Sequence, residues 1–448
     1  MEIRPLHHIS PIKGWINDPN GVVKFKNQYH VFFQHHPYGL TWGPMHWGHV
    51  VSDDLLNWKH LPIALTPGDE FDKDGCFSGT ALVYNDRLYI IYTGFIFNED
   101  PNQIIQQQCL AYSDDGVNFT KMGLIIGKDN LPKEFALNDF RDPMVYQDEN
   151  EFIMLVCSRR IGGRGNILKY QSKDLIHWEY VSYIFNEDSR GIMTECVDYV
   201  QDLHLLINSE QYRPYIGYHD RNAHTTIYRL GEFKNDKFIF DHEGMIDYGF
   251  DFYAPQVILQ DHIMIGWMNM WERNNPSEKY GFAGSLTIPR KIEIRNNELY
   301  QTPVLPTDKK EEKLINGQFI DHVKVGFYQI AIDDLKAFEL KVRKGQNHQT
   351  LFSLMNNEWV FDRSIAGEII TGCEKDIDSL NQIRRMPYVK NKHHEIYLVL
   401  DEFSFEIFID GKSLTSLIYP DLEDDLLELN IDAEKVVLYK YLNKRRRV

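Results

Sequence analysis

Short apolar runs broken by polar turns recur along the first two thirds of the chain. Gly21-Val22-Val23 leads into Tyr29-His30-Val31-Phe32-Phe33-Gln34, and Thr80-Ala81-Leu82-Val83 leads into Leu88-Tyr89-Ile90-Ile91-Tyr92. The arrangement returns at Pro143-Met144-Val145 with residues 152–156, at residues 197–200 with 203–207, and at residues 254–257 with 262–266. Each pair reads as strand, polar turn, strand. The runs are rich in β-branched and aromatic side chains and are punctuated by Lys26-Asn27, Asn85-Asp86, Asp148-Glu149-Asn150, Asp202 and Asp261. The second run of each pair is the more continuously apolar, as a strand covered on both faces requires.

Outer pieces repeat as well. Ser52-Asp53-Asp54-Leu55-Leu56-Asn57-Trp58, Ser113-Asp114-Asp115-Gly116-Val117-Asn118-Phe119 and Ser172-Lys173-Asp174-Leu175-Ile176-His177-Trp178 are near copies, each a Ser-x-Asp turn ahead of an aromatic. A period of about 55–60 residues holds one four-stranded blade. Five copies predict an all-β chain that begins with a five-bladed β-propeller over residues 1–305.

After Pro303 the repeat stops. Residues 306–312 are polar and charged and read as a linker. From 313 to 448 the chain alternates with period two, as in Phe338-Glu339-Leu340-Lys341-Val342 and Phe405-Glu406-Ile407-Phe408-Ile409. These read as half-buried strands, with Asp410-Gly411 as a hairpin turn. A C-terminal β-sandwich is predicted there.

Composition narrows the class of partner. The 448 residues are 43% hydrophobic and 13% aromatic, enough for sizeable cores. A net charge of −17 argues against nucleic acid or an anionic membrane as the main partner. The basic tail Lys444-Arg445-Arg446-Arg447 reads as a solvated terminus. Five scattered cysteines without a C-x-x-C pair exclude a structural zinc site and suit reduced thiols in a cytoplasmic protein. The N-terminus has no apolar targeting segment, and no run of about 18 apolar residues occurs.

Three acidic motifs stand at the starts of first strands: Asn17-Asp18-Pro19-Asn20-Gly21, Arg141-Asp142-Pro143 and Glu195-Cys196. In a propeller those strands face the central channel, so Asp18, Asp142 and Glu195 are expected at one end of it. The other two copies offer Phe77-Ser78-Gly79 and Asp251-Phe252-Tyr253 at the same place. Acids with an aromatic and hydroxyls suit a sugar pocket. Two opposed carboxylates are what glycoside hydrolysis needs, one to attack the anomeric carbon and one to protonate the leaving oxygen. Crowding the acids together keeps a proton available near neutral pH.

Blander readings stand beside these. Asp18-Pro19-Asn20-Gly21 taken alone is a turn sequence, Arg141-Asp142 a structural ion pair, Glu195 a solvated blade edge and Cys196 a packing residue. His46 and His49 around Trp47 read as hydrogen-bonded core rather than metal ligands. Arg159, Arg160 and Arg164, in a loop with Gly162, Gly163 and Gly165, read as a solvated loop or as a catch for a phosphate.

Together the motifs carry a family resemblance. Trp15-Ile16-Asn17-Asp18-Pro19-Asn20-Gly21, Phe77-Ser78-Gly79-Thr80, Phe140-Arg141-Asp142-Pro143 and Glu195-Cys196 resemble those of glycoside hydrolase family 32, the invertase, sucrose-6-phosphate hydrolase and fructanase family. Residues 42–49, 281–290 and 401–420 resemble it too. The resemblance implies retaining hydrolysis of a β-fructofuranosyl bond, with Asp18 as nucleophile, Glu195 as general acid/base and Asp142 holding fructose hydroxyls. Asn17, Gln34, Trp42, Phe77, Ser78, Arg141, Tyr253 and Trp267 would shape the fructose pocket. The family needs no metal and no organic cofactor. The implied partner is a small carbohydrate: sucrose, sucrose 6-phosphate or a short fructan. Monomer and homodimer are both left open. Met144, Thr194 and Val197 depart from the usual pattern and bear on substrate preference. The competing readings are an exo-fructanase or fructosyltransferase, a five-bladed arabinan-type hydrolase, and a non-catalytic sugar-binding propeller.

Overall fold

The computed structural model describes residues 3–307 and 310–442. It is nearly all strand; among the described residues Ile377–Leu380 is the one α-helix. None is long and apolar enough to cross a membrane. The basic tail from Lys444 lies outside the described residues.

The first 303 residues make five antiparallel meanders, each with its strands hydrogen-bonded in chain order. Their first strands are Gly14–Phe25, Gly75–Tyr84, Phe135–Asp148, Thr194–Val200 and Tyr253–Ile258. The hairpin turns after the first two are left-handed at Lys26, Asn27, Asn85 and Asp86, which the polar punctuation had marked. The fourth copy differs, because Gln201–Leu203 forms a 3-10 turn and its second strand starts at Leu205 rather than Leu203. There His204 takes the left-handed conformation that turns the chain.

Apolar clusters join successive sheets. Val23 and Trp47 of the first pack with Ile90 and Tyr92 of the second, and Ile91 and Leu110 of the second with Phe140 and Met154 of the third. Leu155 and Ile167 of the third meet Val197 and Leu206 of the fourth. Ile207 and Tyr228 of the fourth meet Val257 and Met264 of the fifth. Ile258 and Ile265 of the fifth then meet Ile16 and Val31 of the first. A cavity of about 90 Å³ is lined from all five first strands, by Val22, Ala81, Val145, Asp198 and Gln256 among others. The first sheet gains a fifth strand from far along the chain: Phe282–Ala283 pairs in parallel with Gly14 and Trp15.

The remainder forms two six-stranded sheets over a core that includes Phe338, Phe352, Trp359 and Phe405. Part of the expected linker is strand: Lys310–Ile315 pairs along Lys435–Tyr441. It is an exposed, lysine- and glutamate-rich edge, and charged edges discourage further pairing. That chemistry is what made it read as a linker. Residues 404–409 are buried throughout instead of half-buried, because their outer face is covered by the first unit. There His8 sits between Asp401 and Glu406, at 2.9 and 2.7 Å. Leu6, His7 and His8 also donate their N–H groups to the Asp401 carboxylate. Arg290 bonds Asp247 and Glu406, while Asp251 accepts from Arg273 and Arg363 at 2.9 and 2.8 Å. Buried charges survive only when paired in this way.

Candidate active site

Every first strand breaks its pairing register at the same place. The residues skipped by the ladder are Asn17-Asp18, Ser78, Asp142-Pro143, Cys196-Val197 and Ala254-Pro255. Such a bulge turns a side chain off the sheet plane. Asp142, Cys196 and Ala254 adopt positive φ values of 59°, 48° and 47°, a conformation that costs non-glycine residues of order 1–2 kcal/mol. Strain repeated at one structural position marks a functional site.

The bulges sort the site into two layers. Asp18, Ser78, Asp142 and Cys196 all lie within the bulges and bond together. Ser78 donates to Asp18 Oδ2 at 2.7 Å. The Cys196 thiol lies 3.5 Å from Asp18 Oδ2 and 3.6 Å from Asp142 Oδ2, and the Cys196 N–H donates to Asp142 at 3.0 Å. The preceding residues, Asn17, Phe77, Arg141, Glu195 and Tyr253, form the second layer. Arg141 Nη2 donates to Glu195 Oε1 at 2.7 Å, and the Tyr253 hydroxyl donates to Oε2 at 2.5 Å. The three acids therefore do not share one equivalent position. Glu195 stands one residue before it, and Cys196 takes the place that an acid fills in the first and third sheets.

Most of these residues line a cavity of about 500 Å³, while Tyr253 and Cys196 stand behind that lining. Asn17, Asp18, Gln34, Trp42, Phe77, Ser78, Arg141, Asp142 and Glu195 all line it. Gln34 is fixed by Asn20 and the Cys76 carbonyl at 2.8 and 3.0 Å. Trp15 Nε1 holds Asn17 at 2.8 Å. Trp42 stands exposed, edge-on to Phe77, and Phe77 stacks on Phe95 at 4.3 Å. Trp267 does not reach the cavity. It is fully buried behind Trp271, ring to ring at 4.9 Å, so Trp271 lines the cavity instead. The family resemblance had put Trp267 at the pocket, but the turn after its strand brings Trp271 over it.

Sequence reading passed over Gln106, Asp139, Tyr212, His224, Trp271 and Glu272, which also line the cavity. Tyr212, Trp271 and Glu272 lie in loops after second strands and carry no periodic signal, while Gln106, Asp139 and His224 sit at or near strand starts. The supposed phosphate loop is already occupied: Arg159 pairs with Asp139 at 2.6 Å and Arg160 with Asp188 at 2.7 Å. Arg164 donates to the Arg190 carbonyl at 2.5 Å. His49 bonds His30 at 3.1 Å and His46 the Pro44 carbonyl at 3.0 Å, as core histidines.

Burial and neighbouring charges distribute the protons. Burial raises Asp18, against the pull of Ser78. Burial also raises Asp142, to about 7, although Arg141 opposes it. Glu195 goes the other way: burial pushes it up, but Arg141, His224 and the Tyr253 hydroxyl together hold it below the ordinary value. The surroundings thus favour the ionised form of Glu195, the acid expected to keep a proton, and the protonated forms of Asp18 and Asp142. Asp18 Oδ1 is buried without a hydrogen-bond partner among the described residues, which leaves a bare lone pair beside Glu195.

A carboxylate with a free oxygen, a second carboxyl group in the layer above and an aromatic rim define a glycosidase site. The comparisons agree. Residues 8–303 match the family model "Glycosyl hydrolases family 32 N-terminal domain". A sucrose-6-phosphate hydrolase of Zymomonas mobilis is 35% identical over 93% of this chain and 87% of its own length. A raffinose invertase of Escherichia coli is 34% identical over 95% and 91%. A Bombyx mori family 32 β-fructofuranosidase, solved as a mutant with sucrose, superposes with a TM-score of 0.83 at 31% identity over 98% of this chain and 93% of that one. The chain belongs to glycosyl hydrolases family 32.

Proposed function

We propose that the protein is a retaining β-fructofuranosidase that releases fructose from sucrose-type substrates. The observation that carries this reading is that the bare Oδ1 of Asp18 and the Glu195 carboxyl group belong to the lining of one cavity. Asp18 Oδ1 attacks the anomeric carbon of the fructosyl group, the bond to the leaving sugar breaks, and Glu195 gives its proton to the leaving oxygen. Water then attacks the fructosyl-enzyme while Glu195 takes a proton back, and the Asp18 ester bond breaks. Fructose hydroxyls donating to Asp142 favour its ionised form. That sends the shared proton up to Glu195, where the first step needs it.

The architecture supports the same reading. We take the five sheets as blades of a five-bladed β-propeller, because each packs on the next and the fifth packs on the first. The two six-stranded sheets are read as a β-sandwich braced against it. The relatives' names and the sucrose-bound neighbour support sucrose and its 6-phosphate as substrates to try first.

Fructose release from sucrose, sucrose 6-phosphate and a short fructan tests the reading, with the anomer of the first product followed by NMR. β-Fructose as the first product is expected. Silence on all three substrates would favour a sugar-binding protein, and α-fructose would overturn the double displacement.

A further inference from the structure

Three chain segments with unusual backbone meet at the cavity rim opposite Trp42. Tyr212 follows the second strand of the fourth sheet, Glu272 follows the second strand of the fifth, and Cys373 comes from the C-terminal unit. All three have positive φ, at 50°, 66° and 54°. The Tyr212 hydroxyl donates to Glu272 Oε1, and the Cys373 side chain lies close enough to help hold that carboxylate below its usual range. The Cys373 loop is locked in place. Thr371 and Asn274 exchange bonds, with Thr371 N–H to Asn274 Oδ1 at 2.8 Å and Asn274 N–H to the Thr371 carbonyl at 3.2 Å. Gly372, at φ 135°, lies so close that a Cβ there would stand 1.9 Å from the Glu272 carbonyl oxygen. No side chain larger than hydrogen fits.

The held carboxylate faces a cavity already rich in negative charge. The lining includes Asp18, Asp139, Asp142, Glu195 and Glu272 against one guanidinium, Arg141. Arg141 is committed to Glu195 and Asp139 at 2.7 and 3.1 Å. Lys375, beside Cys373, donates to the main-chain carbonyls of Arg213 and Asp220 at 2.7 and 3.3 Å. Tyr212 is 43% exposed and Glu272 is exposed as well, so both are open to a sugar that projects beyond the fructose pocket. An ionised carboxylate accepts hydrogen bonds from neutral hydroxyls strongly, and like charges brought together at a site exclude a partner.

We propose that Glu272, clamped by Tyr212 and by Cys373 of the C-terminal unit, binds the leaving sugar through its hydroxyls and selects an uncharged sugar over a phosphorylated one. The inference rests on the fructosidase reading, and it assigns the C-terminal unit a share in specificity. Glu272 is a binding residue, and Cys373 is a positioning residue that acts through it. The low carboxyl of Glu272, due first to Tyr212 and then to Cys373, is in keeping with this clamp.

The test compares kcat/KM for sucrose, sucrose 6-phosphate and methyl β-D-fructofuranoside, whose leaving group has no further hydroxyls. The unaltered enzyme is expected to favour sucrose over its 6-phosphate by at least about tenfold. Glu272→Gln should lower kcat/KM for sucrose by about tenfold through KM, leave the methyl fructoside within about twofold, and narrow the gap to the phosphate ester. Cys373→Ala should follow the same pattern more weakly. Preference of the unaltered enzyme for sucrose 6-phosphate would overturn the selection, and equal losses on sucrose and the methyl fructoside would overturn the binding role. Failure of the fructosidase reading would look different, as no fructose from any of the three.

Discussion

Different neighbours touch Asp18 and Glu195, and the proposed mechanism gives them different jobs. Asp18→Asn should abolish turnover, and Glu195→Gln should cut kcat by about 10²–10⁴-fold, each with an unchanged circular dichroism spectrum. Azide should rescue Glu195→Ala and not Asp18→Ala. Arg141 adds a pH signature. Its guanidinium holds Glu195 low, and Glu195 must be protonated in the first step. Arg141→Gln therefore lets burial raise Glu195, and the basic limb of kcat/KM should move to higher pH even as kcat falls. A basic limb that stays put or moves down would contradict this placement of the proton. The acids themselves were legible in the sequence, since each follows a turn at a repeated position. Their offset was not, because a bulge changes the count by one residue without changing the residue types. Tyr212 and Glu272 were silent for another reason: they sit where two units meet, and that meeting leaves no periodic trace.

At the scale of single elements, the repeated bulge is the device that points side chains into the channel. Ala254 is the plainest probe, being fully buried, at φ 47° and without chemistry of its own. Ala254→Gly should hold or raise the urea midpoint, because glycine adopts this backbone without cost. Ala254→Val should destabilise by roughly 1–3 kcal/mol, since a β-branched residue fits neither the conformation nor the space. Strands and turns were readable from the hydrophobic runs. The exceptions were elements whose composition imitates another state. Lys310–Ile315 looks like a linker because it is a charged edge. Residues 404–409 look half-buried because Glu406 points not to water but to His8 and Arg290.

The whole molecule is fastened across its two units by buried charge. His8 is the centre of one fastening: burial alone would lower it, but Asp401 and Glu406 raise it to about 9. A group raised above its unfolded value stabilises fully below about pH 6.5 and loses that contribution as pH climbs through the folded value. His8→Ala removes the cation shared by two buried carboxylates, of which Glu406 keeps Arg290, and should cost about 3–5 kcal/mol. The gap between the parent and the variant should be widest near pH 6 and close towards pH 10, measured by chemical denaturation at each pH. A gap that grows with pH would contradict a charged His8.

The parallel pairing of Phe282–Ala283 with Gly14 and Trp15 sets an order of events during synthesis. The strand that carries Asp18 leaves the ribosome well before its partner, and its free edge stays open until residue 283 has emerged. A stalled nascent chain that ends before that point holds all three acids and still lacks the last strip of backbone that seats the first of them. The finished site therefore arrives late, as a property of the closed chain rather than of the segment that carries Asp18.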